Sequence, residues 1–436
     1  MTTVAQVAKR MQYVLRDRAN RLGRETGFIK RERVLSGSSF VTGLVSAWQS
    51  SPGMSLSGIG QSVGNAGTPI TRQGIQARFT SEAVDFMKAM VTESLKVVIS
   101  SHSMPKKLLS GFNGVVLTDS SSVTLPNSLH HVWRGSGGYG DQASRAAVKI
   151  SVRWNVQDGQ LQILELSDGI QHDRQSAAHW QAVEKNSLHI RDLGYFSLDD
   201  FENIGQQGAF WLTRYKIGTH LLDGQGQVLD LVNWLPQQVG QRIDTTGLLG
   251  ARKQLPCRIV AQRVPEHVVK QRHKRLHEIA RQNQTTPSSR SLELAHWTIY
   301  LTNASSGQLA CQAVLLIARY RWQIELLFKL WKSDLGINRW HTQQPHRILC
   351  ELYAKLIAAI ITHWFMLIGC WHNPRRSMRQ AMPSIHSLAW QWANSLHHLN
   401  LLKHTLYALQ RALSKCSMDK SNRYPRHFQL LSELYA

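Results

Sequence analysis

Acidic residues are scarce in this chain. Its 436 residues carry 28 Asp and Glu against 51 Lys and Arg, a formal net charge of +23, although charged residues make up only 18% of the whole. So large an excess favours a polyanion as partner: DNA, RNA or an anionic membrane surface. A basic enzyme without such a partner is the competing reading. Cysteine is also sparse. The five (Cys257, Cys311, Cys350, Cys370, Cys416) are scattered, with no CxxC or Cys/His zinc spacing, which argues against a zinc module and a disulfide framework and reads as reduced thiols. The twenty histidines include His130–His131 and His397–His398, but neither pair has helical ligand spacing with a third ligand nearby. Long apolar runs are missing too. The longest, Leu356–Trp371, falls short of the roughly 20 residues that span a bilayer and contains His363, so a buried core helix is expected. The first residues have no signal-peptide hydrophobic region. No membrane partner and a cytoplasmic, nucleoid-associated location are expected. There is no internal repeat. Hydrophobic residues, at 42%, suffice for real cores, and the length suits two to four domains.

Taken in order, Val4, Val7, Met11 and Val14–Leu15 have helical spacing. From Lys9 to Arg33 there are nine Lys/Arg against three acids, which reads as a solvated or phosphate-contacting face. Residues 51–70 are rich in Ser and Gly and read either as a flexible linker or as a degenerate helix-turn-helix, with a helix near Ser57–Val63 and a second over Thr71–Phe79 capped by Thr71. In the second reading Arg72 and Arg78 are DNA contacts. Ser81–Val98 is an amphipathic helix. Val115–Thr118 is a short strand ending at Asp119, followed by a Ser-rich turn. Ala147–Asn155 and Leu161–Leu166 flank the turn Gln157-Asp158-Gly159 as a hairpin. The glycine loop Arg134–Asp141 matches no phosphate-loop spacing and reads as a turn. Ser187–Ile190 is a strand running into Arg191-Asp192. Ala209–Ile217 and Val228–Trp234 read as strands about a Gly-Gln-Gly turn. Arg252–Arg281 holds nine Lys/Arg and two acids, and Lys270–Arg275 is a candidate backbone-binding patch. Trp297–Thr302 resumes a buried strand. Residues 345–413 are helical, ahead of a basic tail.

The stretch Ile317–Trp340 carries a single interior carboxylate on a helical pattern. At 100° per residue from Arg321, Glu325 lies at about 40° and Lys332 at about 20°, while Ile317, Tyr320, Ile324, Leu327 and Trp331 gather on a separate core face. Arg321 and Glu325 also satisfy the spacing of an ordinary i,i+4 ion pair. Asp119 and Asp192 follow strands, and Glu325 sits on this stripe. Three such carboxylates, if they converge, bind two Mg²⁺ ions, with Mn²⁺ as a substitute, and support in-line phosphoryl transfer. Asp173 is the nearest rival acid, but it follows a loop rather than an apolar strand.

Three blocks resemble the cut-and-paste DDE transposases of bacterial insertion sequences: VVLTDSSSVTLP around Asp119, LHIRDLGYFSL around Asp192, and RYRWQIELLFKLWKSDLGI around Glu325. The resemblance implies an α/β fold: a ribonuclease-H-like catalytic core interrupted by a β-rich insertion, with α-helical N-terminal and C-terminal regions. The gap of 133 residues before the glutamate (325 − 192) has the size of such an insertion. The family's helix signature, Tyr-x2-Arg-x3-Glu-x6-Lys, is matched by Arg321, Glu325 and Lys332, but its tyrosine position is Ala318, and Tyr320 lies well round the helix from it. By resemblance, Arg321 and Lys332 bind phosphates near the transposon end. Trp297, 28 residues before Glu325 (325 − 297), stacks on a flipped base in hairpin formation or, on its own pattern, fills a core. Arg214, Lys270, Arg272, Lys274 and Arg275 are further DNA contacts in the insertion.

The implied organisation is a helical DNA-binding region at 1–105, catalytic core at 106–200 and 293–344, a basic insertion at 201–292 and a helical dimerisation or DNA-contact region at 345–436. The implied function is Mg²⁺-dependent cleavage at transposon ends and transfer of the 3′-hydroxyls into target DNA. The implied partners are double-stranded DNA, as terminal inverted repeats and target, and a second copy in a synaptic homodimer. The alternatives are a catalytically inactive end-binding repressor and a structure-selective nuclease on the same fold.

Overall fold

The computed structural model describes residues 3–31, 34–100, 111–137, 144–176, 183–371 and 376–416, and it is a mixed α/β fold with a large sheet and many helices. The N-terminal helices are α1 (Val4–Gln12), α2 (Ala19–Glu25), α3 (Gly37–Ser50), α4 (Leu56–Asn65), α5 (Arg72–Gln76) and α6 (Ser81–Lys96), with a π-helical stretch over Tyr13–Arg18 between the first two. Strands β1 (Gly114–Leu125), β2 (Ala146–Asn155), β3 (Leu161–Asp168) and β4 (Ser187–Arg191) follow, then α7 (Leu198–Gln206), β5 (Phe210–Arg214), β6 (Leu221–Leu222) and α8 (Leu231–Trp234). Next come β7 (Arg242–Leu249), β8 (Leu255–Arg263), α9 (Glu266–Gln282), α10 (Ser289–Leu294) and β9 (Trp297–Thr302). The chain closes with α11 (Cys311–Tyr320), α12 (Trp322–Ser333), α13 (Pro345–Gly369), α14 (Met378–Ser395) and α15 (Leu399–Cys416).

Two compact units emerge, each discontinuous in sequence. Among the described residues, the first gathers 3–100, 120–172 and 324–416, and the second 111–119 and 173–323.

The first unit is built on α13. Its 25 residues include an 18-residue stretch apolar and long enough to cross a membrane by composition, yet every residue of that stretch is buried inside the protein, and the helix packs against α3, α6 and α15. The expected core helix is therefore present, longer than the run that suggested it. The Ser/Gly-rich 51–70 segment is no linker. It forms α4, whose N-cap Ser55 accepts from the Gly58 amide at 3.1 Å. Glycine is needed at position 43 on the facing helix, because a Cβ there would meet Val63 atoms at 2.5–2.8 Å. Small residues let α3 and α4 approach closely, so a composition that resembles a linker is a packing device here. Thr71 caps α5 as expected, its hydroxyl accepting from Gly74 N at 3.0 Å. However, α5 stops after five residues rather than running to Phe79. The unit also holds the far half of β1 and the antiparallel hairpin β2–β3.

The second unit contains the sheet order β1-β4-β5-β9-β8-β7-β6. Strands β1, β4 and β5 are parallel, and every pairing from β5 to β6 is antiparallel. Parallel strands covered on both faces carry continuous apolar runs, and β4 is buried at all five positions. One face packs a cluster that includes Phe201, Trp211, Leu231, Ile259, Trp297 and Leu301.

Several sequence expectations are corrected. Strand β1 does not end at Asp119 in a Ser-rich turn. It runs through Ser120-Ser121-Ser122 to Leu125, because Val123 and Leu125 alternate into the core. Val228–Trp234 is not a strand: the Asp230 carboxylate accepts from Val232 N at 3.3 Å and caps α8. The basic part of 201–292 is not β throughout, since Glu266–Gln282 is a 17-residue helix. Ile317–Trp340 is not one helix. It breaks at Arg321 between α11 and α12 and ends at Ser333.

Candidate functional site

Register between two parallel strands brings the aspartates together. Thr118 of β1 pairs with Arg191 of β4, so Asp119 and Asp192 follow at the same level of the sheet. Asp119 lies inside its strand, and Asp192 begins a single 3₁₀ turn, Leu193–Tyr195. Between them sits the guanidinium of Arg321, at the break after α11. Its Nη1 is 3.6 Å from Asp119 Oδ2, and its Nε is 3.6 Å from Asp192 Oδ1. Both distances exceed hydrogen-bond range, so these two contacts are electrostatic. The Asp119, Asp192 and Arg321 side chains are 16%, 36% and 24% exposed, open enough for substrate to reach.

Around this pair the second unit supplies supporting charge. Arg191, the residue before Asp192, is fully buried, and its Nε, Nη1 and Nη2 have no hydrogen-bond partner among the described residues. Burial lowers its pKa, while the charges of Asp200 and Tyr195 oppose that shift. Sequence reading missed Arg191, since an arginine inside an apolar strand has no distinguishing spacing. Asp173 turns out to be near the site: its Oδ2 lies 3.2 Å from where a side chain on Gly194 would begin, two residues past Asp192. Trp322, next to Arg321, is 51% exposed and was also missed.

Glu325 belongs to the first unit, half-buried on α12. Lys332, also half-buried there, has its pKa lowered by burial. Among the described residues, no group of three or more His, Cys, Asp or Glu is placed to hold a metal ion. The pair Asp119 and Asp192 is what the structure assembles. Tyr320 is buried, and desolvation raises its pKa well above the usual value.

Two of the residues expected at DNA are less exposed than the rest. Arg272 is half-buried and donates to Ala295 O at 3.0 Å, Trp297 O at 2.8 Å and Thr298 Oγ1 at 2.7 Å, tying α9 to β9. Trp297 is 7% exposed within the hydrophobic cluster, where its ring is not offered to a base. The others remain at the surface. Lys270, Lys274 and Arg275 are exposed on α9, Arg214 is exposed at the end of β5, and Arg72 and Arg78 are exposed around α5. Among the described residues, Cys257, Cys311, Cys350 and Cys370 form no disulfide. The basic C-terminal tail and part of the glycine loop lie outside the described residues.

Comparison with known proteins adds four findings. Residues 110–361 match the family model for the transposase DDE domain. The transposase for insertion sequence element IS231F of Bacillus thuringiensis subsp. israelensis is 29% identical over 382 residues, 81% of this chain and 78% of that one. The transposase for IS1151 of Clostridium perfringens is 26% identical over 316 residues, 67% of this chain and 66% of that one. Among solved structures, the piggyBac transposase synaptic complex with hairpin DNA is similar at a TM-score of 0.48 and 8% identity, over 97% of this chain and 87% of that one.

Proposed function

This chain belongs to the DDE transposases, and on that premise we propose that Asp119, Asp192 and Glu325 are its catalytic carboxylates and that Arg321 is the group holding the first two in register. The protein is an insertion-sequence transposase, an enzyme that cuts DNA and transfers strands. The observation that carries the residue assignment is Arg321 set 3.6 Å from each of two aspartates delivered by neighbouring parallel strands. The mixed sheet, parallel from β1 to β5, supports a ribonuclease-H-like core extended by the strands that follow β5.

DDE transposases work with divalent metal ions. The residues at hand fit such an ion, because Asp119 and Asp192 present only hard oxygen donors at a partly open position. Glu325 is the third donor in this reading, and Mg²⁺, as two ions, is the metal, with Mn²⁺ as substitute. When bound, such ions supply Lewis-acid activation of the attacking oxygen and stabilise the leaving oxygen. The chain's own contribution is positional. The in-register strands fix both carboxylates, Arg321 limits their mutual repulsion, and Lys332 offers a cation to the scissile strand's phosphates. Exposed Lys270, Lys274, Arg275, Arg214, Arg72 and Arg78 grip the duplex backbone without reading sequence. The ligands are terminal inverted repeats and target DNA. Joining two ends requires two active copies, hence a homodimer on DNA.

The test is a labelled duplex carrying the sequence that flanks the coding region, incubated with the full chain and Mg²⁺. Wild type is expected to cleave at the ends and join the 3′-hydroxyls. Asp119→Ala and Asp192→Ala each lower both steps by about a thousandfold, equivalent to about 4 kcal/mol of barrier, with DNA binding retained. Binding without cleavage by the wild type overturns the assignment in favour of an end-binding repressor. Cleavage without joining, indifferent to the terminal repeats, points to a nuclease.

A further inference from the structure

A cleft of about 170 Å³ opens on the second unit, and its lining includes three arginines. Arg263 comes from the end of β8, Arg272 from α9 and Arg319 from α11, with Thr298 and Tyr300 of β9 between them. Arg214 stands directly opposite Tyr300 in the β5–β9 ladder, and burial first and the Arg214 charge second lower the pKa of Arg272. Arg263, Arg272 and Arg319 line the cleft, and Arg214 adjoins it opposite Tyr300, so four arginines from four elements share one region. None of them forms an ion pair among the described residues, and Arg214, Arg263 and Arg319 are exposed.

Like charges brought together without acids destabilise a fold unless something neutralises them. The fold nevertheless fixes one of these arginines firmly. Arg272 has three hydrogen bonds to Ala295, Trp297 and Thr298, which hold its planar guanidinium in place, while the other three are exposed. A fixed guanidinium among exposed arginines suits the tetrahedral oxygens of a phosphate, which arginine binds in fork geometry. The surface of α9 is different: Lys270 and Lys274 there are point charges in open solvent.

We propose that this cleft is a discrete clamp for the sugar-phosphate backbone of a DNA strand, formed by Arg263, Arg319 and Arg214 over Arg272. It is separate from the exposed face of α9. The inference rests on the chain being a DNA-acting transposase.

The test uses the full chain and a random-sequence 30-base-pair duplex, with affinity measured across salt concentrations. Arg263→Gln/Arg319→Gln is expected to weaken binding and to flatten the slope of log affinity against log salt by about 1 to 2, at about 0.9 per neutralised phosphate. Arg272 is left intact because its loss would disturb the fold, and unchanged thermal unfolding of the double variant shows that the fold survives. An unchanged slope overturns the clamp. A second arm measures thermal stabilisation by inorganic phosphate at matched ionic strength. If phosphate stabilises wild type but not the double variant while the DNA slope is unchanged, the cleft holds a free anion and the DNA clamp is overturned. Asp119→Ala separates the two readings: it must keep the wild-type salt slope while losing cleavage. A clamp can thus fail with the catalytic assignment intact, and the reverse.

Discussion

Two helices of this protein carry charge in opposite ways. Helix α13 reads as hydrophobic, yet it buries Arg347, Glu351, Lys355 and His363. Helix α9 reads as strongly charged and keeps most of its charge in solvent. On α13 each charge is answered from within the fold. Arg347 Nε donates to Glu351 Oε1 at 2.8 Å. Lys355 Nζ donates to Arg339 O at 2.6 Å and lies 4.2 Å from the ring centres of both Trp48 and Trp340. Burial lowers the Lys355 ammonium to about 8, against the opposing charge of Glu351. On α9 Arg272 is the exception, tied to β9, while Lys270, Lys274 and Arg275 form no ion pair among the described residues. Charge paired inside the fold is structural, and charge left unpaired over a surface is available to a ligand.

The largest expected effect falls on the buried side. Lys355→Ala removes the cation between two indoles and leaves a cavity, so a loss of about 3 kcal/mol is expected in denaturant unfolding. Lys355→Met keeps the volume and should recover most of it; if methionine is as damaging as alanine, the charge and not the packing matters there.

A pH effect of similar size sharpens the comparison. His363 is buried with its pKa pushed down to about 4, chiefly by desolvation, while its ring nitrogen Nε2 meets the Gly159 carbonyl. The unfolded chain, near 6.5, takes up a proton that the native state refuses. The stability this group contributes is complete above about pH 6.5 and is lost as pH falls towards 4, by up to about 3 kcal/mol. His363→Gln should flatten the fall in unfolding midpoint between pH 7 and pH 4.5, and an unchanged fall would assign acid sensitivity to other groups.

The smallest stability effect is expected on α9. Lys270→Gln/Lys274→Gln/Arg275→Gln should move the unfolding free energy by no more than about 0.5 kcal/mol. The same variant should lower the salt slope of DNA binding by about 0.9 per residue. A large loss of stability with an unchanged slope would make α9 structural like α13 and end the contrast.

What was legible in the sequence follows from local pattern. Period-2 alternation marked β2, a turn signal marked the hairpin to β3, an apolar run marked β9, and helical spacing marked α6 and the apolar face of α11 and α12, all of whose predicted core residues (Ile317, Tyr320, Ile324, Leu327, Trp331) are buried. Less legible was what depends on a partner element. Ser120–Ser122 looked like a turn because serine favours turns, but its neighbours on β1 are held by the sheet. Glycine and serine at 51–70 fitted a linker as well as a helix near Ser57–Val63, and the helix is what forms; the close approach of Val63 to Gly43 that favours it is invisible in one chain segment.

The sequence by itself determined the chemistry available: a large basic excess, few acids, and Asp119, Asp192, Glu325 and Arg321 in their order along the chain, because composition and motif spacing do not depend on folding. Only the tertiary structure decided which of these meet. The parallel register of Thr118 with Arg191 places Asp119 and Asp192 on one guanidinium across 73 residues of sequence (192 − 119). Hydrogen bonds from α9 to β9 turned Arg272 from a surface charge into a tie. Such contacts join residues far apart in the chain, and the local patterns that mark helices and strands carry no record of them.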